Sequence, residues 1–486
     1  MRYVNLDIEA FDYAREEGRE KFSVRVAASH VGEQKITDAE PVMLPADLRT
    51  RLRLLESRRL NVAQTIAFGE DLAAALLPPR ARLFFTRSLE RLRDDEALRV
   101  RLKLDTLSLV DLPWEYVYVA EPDTPANHKG PGGFLVLNRR LSLVRYEVIG
   151  QAQGQLGPVG DESLRVVSIM ANPADTPELH LDAERELMER ALSGMTRVKV
   201  EFYPDATVDT LLDALSRDAH IFHFAGHGRF ESELGESFGS LEGQGYLSLV
   251  GENGEEHRFP SGTLALNLRH RNVRLAVLGA CEAGRRDSVN AWTGVVPALT
   301  LAGIPAVIGM QMTIRDRSAI AFTQRMYQAL ADGKSVDEAV AVGRIAIFSR
   351  ATEPDERDWG VPVLYHRAEE GVLFPKAAEA TMTAGGPIAL AATPSAGSAT
   401  AEPKTDTRAL RTALVNSFSR EELDALCFDL QEELRSKGLY EGPINLEVVG
   451  GSGKTAMVLN LIQYLERRKL LPHMVELVRS SRPGIV

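Results

Sequence analysis

The chain has 486 residues, a formal net charge of −11 and two cysteines, Cys281 and Cys427. The length predicts two or three domains, the acidic balance argues against a general nucleic-acid binder, and two cysteines cannot build a disulfide framework. No apolar stretch reaches about 18 residues, so we expect no membrane span. Because the start also lacks a signal-peptide core, we expect a reducing, cytoplasmic setting.

The first 155 residues carry several strand patterns around a helical middle. Alternation with a period of two predicts strands at Phe22–Val26 and Leu98–Leu104. Apolar residues at helical spacing predict a helix at Asn61–Leu77. Two apolar runs, Phe134–Leu137 and Leu141–Tyr146, predict two further strands. No pairing of a nucleophile with a base is evident in this region.

From Leu164 onward, strand and helix patterns alternate. The predicted strands are Arg165–Ile169, Val198–Phe202, a His-bearing run from His220, a Cys-bearing run from Val273, and Ala306–Met310. The predicted helices are Asp182–Leu192, Val208–Leu215, Ala291–Leu301 and two more that end near Phe348. Such alternation predicts an α/β fold with a mainly parallel sheet and helices on both faces.

Residues 229–260 interrupt this alternation. A strand at Tyr246–Val250, an Asn253-Gly254 turn and a return to Phe259 predict a β-hairpin. Because the hairpin follows His227, we expect it to form a wall of the adjacent cleft. Two interpretations remain open for the loop within it: a cleavage or activation element, or a surface hairpin without a further role.

Two residues at strand ends carry most of the functional signal. The sequence His-Phe-Ala-Gly-His-Gly (residues 223–228) and the sequence Gly-Ala-Cys-Glu-Ala-Gly (residues 279–284) each close an apolar run. If both strands are parallel in one sheet, their carboxyl ends lie side by side, where open α/β sheets build their sites. Cys281 and His227 would then share one crevice, as a cysteine nucleophile and its base require.

Simpler explanations exist for these residue types. A single cysteine is most often buried core, but Cys281 ends its strand and has a candidate His-Gly partner. His223 precedes His227 by four residues, which suggests a zinc site. On a strand those two residues lie roughly 13 Å apart, so His223 is interpreted as a strand residue and no metal site is predicted.

These motifs resemble the CHAT family of caspase-like cysteine peptidases. His227 lies 54 residues before Cys281, close to the caspase spacing of about 50. Leu-Pro-Trp-Glu (112–115), Ala302–Ile308 and Asp-Trp-Gly-Val-Pro (358–362) are similar to further CHAT signatures and occur in CHAT order. The resemblance implies a caspase-like three-layer sandwich, with a pseudocaspase-like half at residues 1–155 and a catalytic CHAT protease domain at 156–375. Within the first half, Trp114 most simply anchors packing.

The resemblance also implies roles for individual residues. Cys281 is the nucleophile and His227 the base, acting as a dyad because no third acidic member is evident. The backbone N–H groups of Gly228 and Cys281 form the oxyanion hole. The loop from Gln311 to Asp316 is a candidate lining of the S1 pocket: Asp316 would favour a basic P1 residue and Arg315 an acidic one, a choice that the sequence leaves open. Glu282 either orients this region or faces solvent.

The C-terminal part divides into a linker and a small domain. Residues 376–405 are mostly Ala, Thr, Gly, Ser and Pro, which predicts a flexible linker. Residues 406–486 predict a helical domain, with Ser419 and Glu422 as a capping box and Cys427 within an apolar stripe. This segment is similar to the death-fold-like effector-associated domains of bacterial proteases and signalling ATPases, which implies homotypic binding to a partner protein.

Gly450–Thr455 has the appearance of a nucleotide-binding loop. Walker A requires an earlier glycine, and Val448 stands in its place. Because no strand follows to carry a Mg²⁺-binding carboxylate, we interpret the turn as a helix cap and expect no cofactor.

The leading hypothesis is a cysteine endopeptidase of protein substrates, recruited or activated through its C-terminal adaptor domain in bacterial signalling or defence. A catalytically silent caspase-like scaffold is the alternative, although it would not need both Cys281 and His227. A nucleotide-driven switch would depend on Lys454 alone. We expect no direct contact with nucleic acid or membrane.

Overall fold

A computed structural model describes most of the chain. The described residues are 1–16, 18–120, 130–146, 156, 159, 163–231, 244–269, 271–279, 295–351, 357–368, 371–375, 414, 418, 420–437, 458, 461, 462, 465 and 470–481. They belong to two compact units, residues 1–386 and 387–486. The predicted linker and the turn at 450–455 lie outside the described residues. None of the described helices has the length and apolar character needed to span a bilayer.

The first unit is built on one large sheet flanked by helices. Its strands are β1 (Arg2–Glu16), β2 (Arg19–Ser29), β3 (Glu40–Met43), β4 (Glu96–Leu104), β5 (Leu141–Arg145), β6 (Leu164–Met170), β7 (Val198–Tyr203), β8 (Ile221–Ala225), β9 (Gly228–Glu231), β10 (Gln244–Val250), β11 (Glu256–Pro260), β12 (Leu275–Gly279), β13 (Ala306–Met310) and β14 (Pro362–His366). Its helices are α1 (Leu48–Glu56), α2 (Val62–Leu76), α3 (Pro79–Glu90), α4 (Leu107–Val110), α5 (Leu181–Leu192), α6 (Val208–Ala214), α7 (Ser261–Leu268), α8 (Val295–Leu301), α9 (Asp316–Ala331) and α10 (Val336–Ser349).

Eleven of these strands form the large sheet, in the order β3-β2-β1-β4-β5-β14-β13-β12-β8-β6-β7. The pairs β1–β4, β4–β5, β13–β12, β12–β8, β8–β6 and β6–β7 are parallel, whereas β1–β2, β2–β3 and β13–β14 are antiparallel. The predicted mainly parallel sheet is therefore confirmed. Both predicted halves of residues 1–375 contribute strands to it, and their boundary near residue 155 stays a prediction.

Successive residues of each central strand supply two different cores, because side chains alternate across a sheet. Val166 of β6 packs in a core that includes residues of α5, α9 and α10. Val167 and Ile169 pack in the opposite core, with residues of α6, α7 and α8. Helices therefore cover both faces, which confirms the three-layer arrangement predicted from the alternation.

One predicted strand is wrong. Phe134–Leu137 does not join the sheet: Leu135–Leu137 form a 3₁₀ turn, and Phe134 makes only an isolated bridge with Tyr118. The turn closes when the Leu137 N–H donates to the Phe134 carbonyl. Phe134 is buried by ring packing on Trp359, with the ring centroids 4.5 Å apart. Aromatic packing thus buries the start of this apolar run without strand pairing, although its sequence resembles a strand.

Trp114 anchors packing, as predicted. Its side chain is completely buried, its Nε1 donates to the Leu109 carbonyl at 2.8 Å, and its ring meets that of Phe22 edge to face. An indole that is both buried and hydrogen-bonded contributes a large apolar area without an unsatisfied donor.

Most described residues of the second unit are helical, and its buried apolar residues share one core. Its described helices are α11 (Arg420–Ser436) and α12 (Leu471–Ser481). The core consists of Leu414, Phe418, Leu423, Leu426, Cys427, Leu430, Leu434, Val458, Leu461, Ile462, Leu465, Leu470, Leu471, Met474, Val475 and Val478. These residues confirm the predicted small all-α domain and the predicted burial of Cys427; Ser419, the predicted cap, lies outside the described residues.

Buried His223 makes the stability of the first unit depend on pH. Burial lowers the pKa of His223 to about 4, against about 6.5 in an unfolded chain. As the pH falls below about 6.5, the unfolded chain binds this proton first, so stability is lost progressively until about pH 4. The full loss is roughly 3 kcal/mol.

We predict that between pH 7 and pH 4 the unfolding free energy of His223→Gln falls less than that of wild type, by up to roughly 3 kcal/mol. Urea unfolding followed by tryptophan fluorescence measures it, since all three tryptophans lie in residues 1–386. Tyr327→Phe removes the partner of His223 but keeps its burial, so this control should retain the wild-type pH dependence. Equal pH dependence in His223→Gln and wild type would contradict the assignment.

Candidate active site

His227 lies two residues beyond the end of β8, and Gly226 fixes the path of the chain between them. A Cβ atom on Gly226 would lie 2.8 Å from the Phe224 ring and 2.9 Å from the Ala171 carbonyl oxygen. Only glycine fits this close approach. The backbone carbonyl of His227 then accepts a hydrogen bond from the Ser248 N–H at 3.0 Å, which attaches the residue to β10.

The imidazole of His227 has a defined orientation. Its Nε2 lies 2.8 Å from the backbone carbonyl oxygen of Pro177, in the loop between β6 and α5. A carbonyl oxygen only accepts hydrogen bonds, so Nε2 must carry the proton. In the neutral ring, Nδ1 therefore holds the lone pair. The amino-acid sequence does not reveal this partner of His227, because every residue has a backbone carbonyl.

The strand that leads to Cys281 lies directly beside the strand that leads to His227. β12 and β8 are parallel, and Gly279 pairs with Ala225. A Cβ on Gly279 would lie 3.4 Å from the Phe224 carbonyl oxygen, which is an ordinary van der Waals contact. Cys281 and Glu282 lie outside the described residues, so their predicted places stay predictions.

His223 lies on β8 and is buried against α9. It does not share a metal site with His227. Its Nδ1 is 2.8 Å from the hydroxyl oxygen of Tyr327. Across the described part of the chain, no three His, Cys, Asp or Glu side chains converge in a way that could hold a metal ion.

The candidate S1 loop follows β13 and is held at both ends by buried acidic groups. At its start, the Gln311 amide donates to Glu115 Oε2 at 2.9 Å and to the Gly360 carbonyl at 2.8 Å. At its end, the Arg315 N–H donates to Asp358 Oδ2 at 3.0 Å. Arg315 and Asp316 are both partly exposed, so the structure leaves the choice between them open.

Glu115 belongs to a buried ion pair with Arg145. The pair is 2.9 Å long, and its side chains are 0% and 2% exposed. Burial alone lowers the pKa of an arginine, but the adjacent Glu115 carboxylate raises the pKa of Arg145 above its usual value. Arg145 also donates to Gln311 Oε1 at 3.1 Å. The Leu-Pro-Trp-Glu segment thus supports the loop after β13, a role that its sequence did not indicate.

We predict that Glu115→Ala lowers the unfolding free energy of the first unit by about 3–5 kcal/mol, because it leaves the Arg145 charge buried without its carboxylate. Urea unfolding at pH 7 measures the loss. The control is Glu16→Ala, which removes the partner of Lys21 in an exposed pair and should cost less than about 1 kcal/mol. Similar losses in both variants would contradict the assigned role of the buried pair.

Comparison with known proteins supplies a family and several structural neighbours. Residues 67–367 match the family described as "CHAT domain". No match was found among curated proteins. The structure is similar to a Saccharomyces cerevisiae separase–securin complex, with 14% identity and a TM-score of 0.33 over 59% of this chain and 16% of that chain. It is also similar to the Arg specific cysteine proteinase gingipain R, with 13% identity and a TM-score of 0.36 over 63% of this chain and 70% of that chain. A third neighbour is a complex of Porphyromonas gingivalis RgpB pro- and mature domains, with 15% identity and a TM-score of 0.36 over 63% of this chain and 72% of that chain.

Proposed function

The chain belongs to the CHAT-domain family, and from this premise we propose that it is a cysteine endopeptidase in which Cys281 and His227 hydrolyse peptide bonds of protein substrates. The observation that carries the proposal is the hydrogen bond between His227 Nε2 and the Pro177 carbonyl. This bond leaves Nδ1 as the basic nitrogen, which is the state that a general base requires.

The strand register supports the pairing of the two residues. Ala225 pairs with Gly279, and His227 and Cys281 each follow their strand by two residues. Consecutive Cα atoms are about 3.8 Å apart, so two residues of chain span at most about 8 Å. A side-chain contact with His227 is compatible with that distance.

In the proposed reaction, His227 Nδ1 takes the proton of the Cys281 thiol, and the thiolate attacks the scissile carbonyl carbon. The backbone N–H groups of Gly228 and Cys281 stabilise the resulting oxyanion. When the C–N bond breaks, the His227 imidazolium donates its proton to the leaving amine, which gives an acyl-enzyme. A water molecule, deprotonated by His227, then hydrolyses the thioester and regenerates the thiol.

The proposal extends to recruitment by the C-terminal unit. Residues 387–486 form a compact unit with an apolar core of their own, which is what an appended adaptor domain requires. We propose that this unit docks the peptidase to a partner protein by homotypic contact, in bacterial signalling or defence. Phe428, 63% exposed on α11, is a candidate contact residue.

We predict that Cys281→Ala and His227→Ala each lower kcat/KM for a fluorogenic peptide library by at least about 10³-fold, because each removes a member of one catalytic unit. Cys427→Ala is the matched control: its side chain is buried in the other unit, so peptide hydrolysis should stay within about twofold of wild type. Loss of activity in the control but not in Cys281→Ala would contradict the proposal. Absence of hydrolysis in wild type would favour the scaffold alternative.

Specificity should depend on one charge of the loop after β13. Because Glu115 and Asp358 hold the two ends of this loop, we predict that neutralising the residue that lines S1 changes P1 selection by about tenfold or more without displacing the loop. If Asp316 lines the pocket, Asp316→Asn lowers cleavage after Arg and Lys. If Arg315 lines it, Arg315→Gln lowers cleavage after Asp and Glu. An unchanged P1 profile in both variants would show that the S1 lining lies elsewhere.

A further inference from the structure

The carbonyl of Pro177 orients His227 only if its loop is held still. The loop comprises residues 171–180, between β6 and α5, and Pro177 itself is exposed. An exposed loop without restraints samples many conformations on the nanosecond-to-microsecond scale. A 2.8 Å hydrogen bond to His227 therefore requires an internal restraint.

The side chain of Asn172 provides that restraint. Its Oδ1 accepts from the Leu179 N–H at 3.2 Å, and its Nδ2 donates to the Leu179 carbonyl at 3.2 Å. This pair of bonds joins the two ends of the loop across Pro177. Asparagine suits the position because one amide group supplies both a donor and an acceptor. Alanine supplies neither, and aspartate supplies only the acceptor.

The joined ends are anchored on β8, the strand that carries His227. Leu179 is 4% exposed and packs in a small cluster with Ala225, Met170 and Leu181. The Ala171 N–H also donates to the Ala225 carbonyl at 3.0 Å. Ala225 lies two residues before His227. The loop and the imidazole are therefore both attached to the end of β8.

The β10–β11 hairpin restrains the outer side of the same loop. The Ala174 N–H donates to the Gly254 carbonyl at 2.8 Å, and the Glu256 N–H donates to Asp175 Oδ1 at 2.7 Å. The hairpin also holds His227 itself through the Ser248 N–H. It therefore contacts both His227 and the loop that contains Pro177.

We propose that Asn172 is a positioning residue of the active site: it holds the Pro177 carbonyl where it fixes the tautomer and the orientation of His227, and thereby sets the reactivity of Cys281. This inference rests on the proposed peptidase function. Asn172 does not contact the reacting atoms, so its effect reaches the chemistry only through Pro177 and His227.

The test compares Asn172→Ala with wild type in three measurements: peptide hydrolysis, the rate of Cys281 alkylation by iodoacetamide, and the ¹⁵N NMR signals of His227 in histidine-labelled protein. We expect kcat to fall about 10- to 100-fold with little change in KM, because a misplaced general base slows chemistry and not binding. We expect alkylation to slow by a similar factor. The His227 nitrogen signals should move from the Nε2–H tautomer toward an average of both tautomers.

Two further variants make the result specific. Asn172→Asp keeps the bond from the Leu179 N–H, so it should fold and lie between wild type and Asn172→Ala in all three measurements. The control is Asn267→Ala on α7, where the side-chain amide also donates to a backbone carbonyl, that of Thr263 at 2.8 Å. This control should match wild type within about twofold.

Wild-type kinetics and unchanged His227 signals in both Asn172 variants would overturn the proposal. A folded Asn172→Ala that loses activity while its His227 signals stay as in wild type would also overturn it. If wild type hydrolyses no peptide, the peptidase function fails, and the NMR and alkylation measurements still decide whether Asn172 orients His227.

Discussion

The parallel pairing of β8 with β12 is the constraint on which the proposed chemistry depends. Two parallel neighbours end at the same edge of a sheet, whatever their separation in sequence, and open α/β sheets build their sites at that edge. The pairing of Ala225 with Gly279 means that β8 and β12 end directly beside each other. A shift of one residue in this pairing would turn the side chains of one strand to the opposite face of the sheet relative to the other.

Around this edge, backbone carbonyls and buried charges perform different tasks. A carbonyl from the β6–α5 loop orients the His227 imidazole. Glu115 and Asp358 instead hold the loop after β13. Glu115 is itself paired with Arg145 inside the protein. The groups that orient His227 and the groups that hold the loop after β13 are therefore different.

Much of the fold could be predicted because hydrophobic periodicity reports on burial. β4, β6, α2 and α5 follow their predicted patterns closely. β1 was not predicted, although Leu6, Ile8 and Ala10 alternate on its buried side. The intervening acids, Asp7 and Glu9, obscured its strand character, and their cross-strand partners Arg101 and Arg25 become visible only when the strands are paired.

The candidate site could be predicted less completely. His227 stood out because glycines flank it at a strand end, but its partner is a main-chain oxygen that no sequence pattern encodes. Glu115 and Asp358 were noticed as parts of motifs, yet their action on residues nearly 200 and more than 40 positions away depends on tertiary contact. Pattern reasoning identifies which residues are unusual, whereas their geometry decides what they do.

The most direct measurement is a crystal structure of the protein with a peptidyl aldehyde bound. We expect a covalent bond from Cys281 Sγ to the aldehyde carbon, His227 Nδ1 within about 4 Å of that sulfur, and His227 Nε2 still hydrogen-bonded to the Pro177 carbonyl. A sulfur on the far side of the sheet from the imidazole, or an imidazole that presents Nε2 to the sulfur, would contradict the proposal.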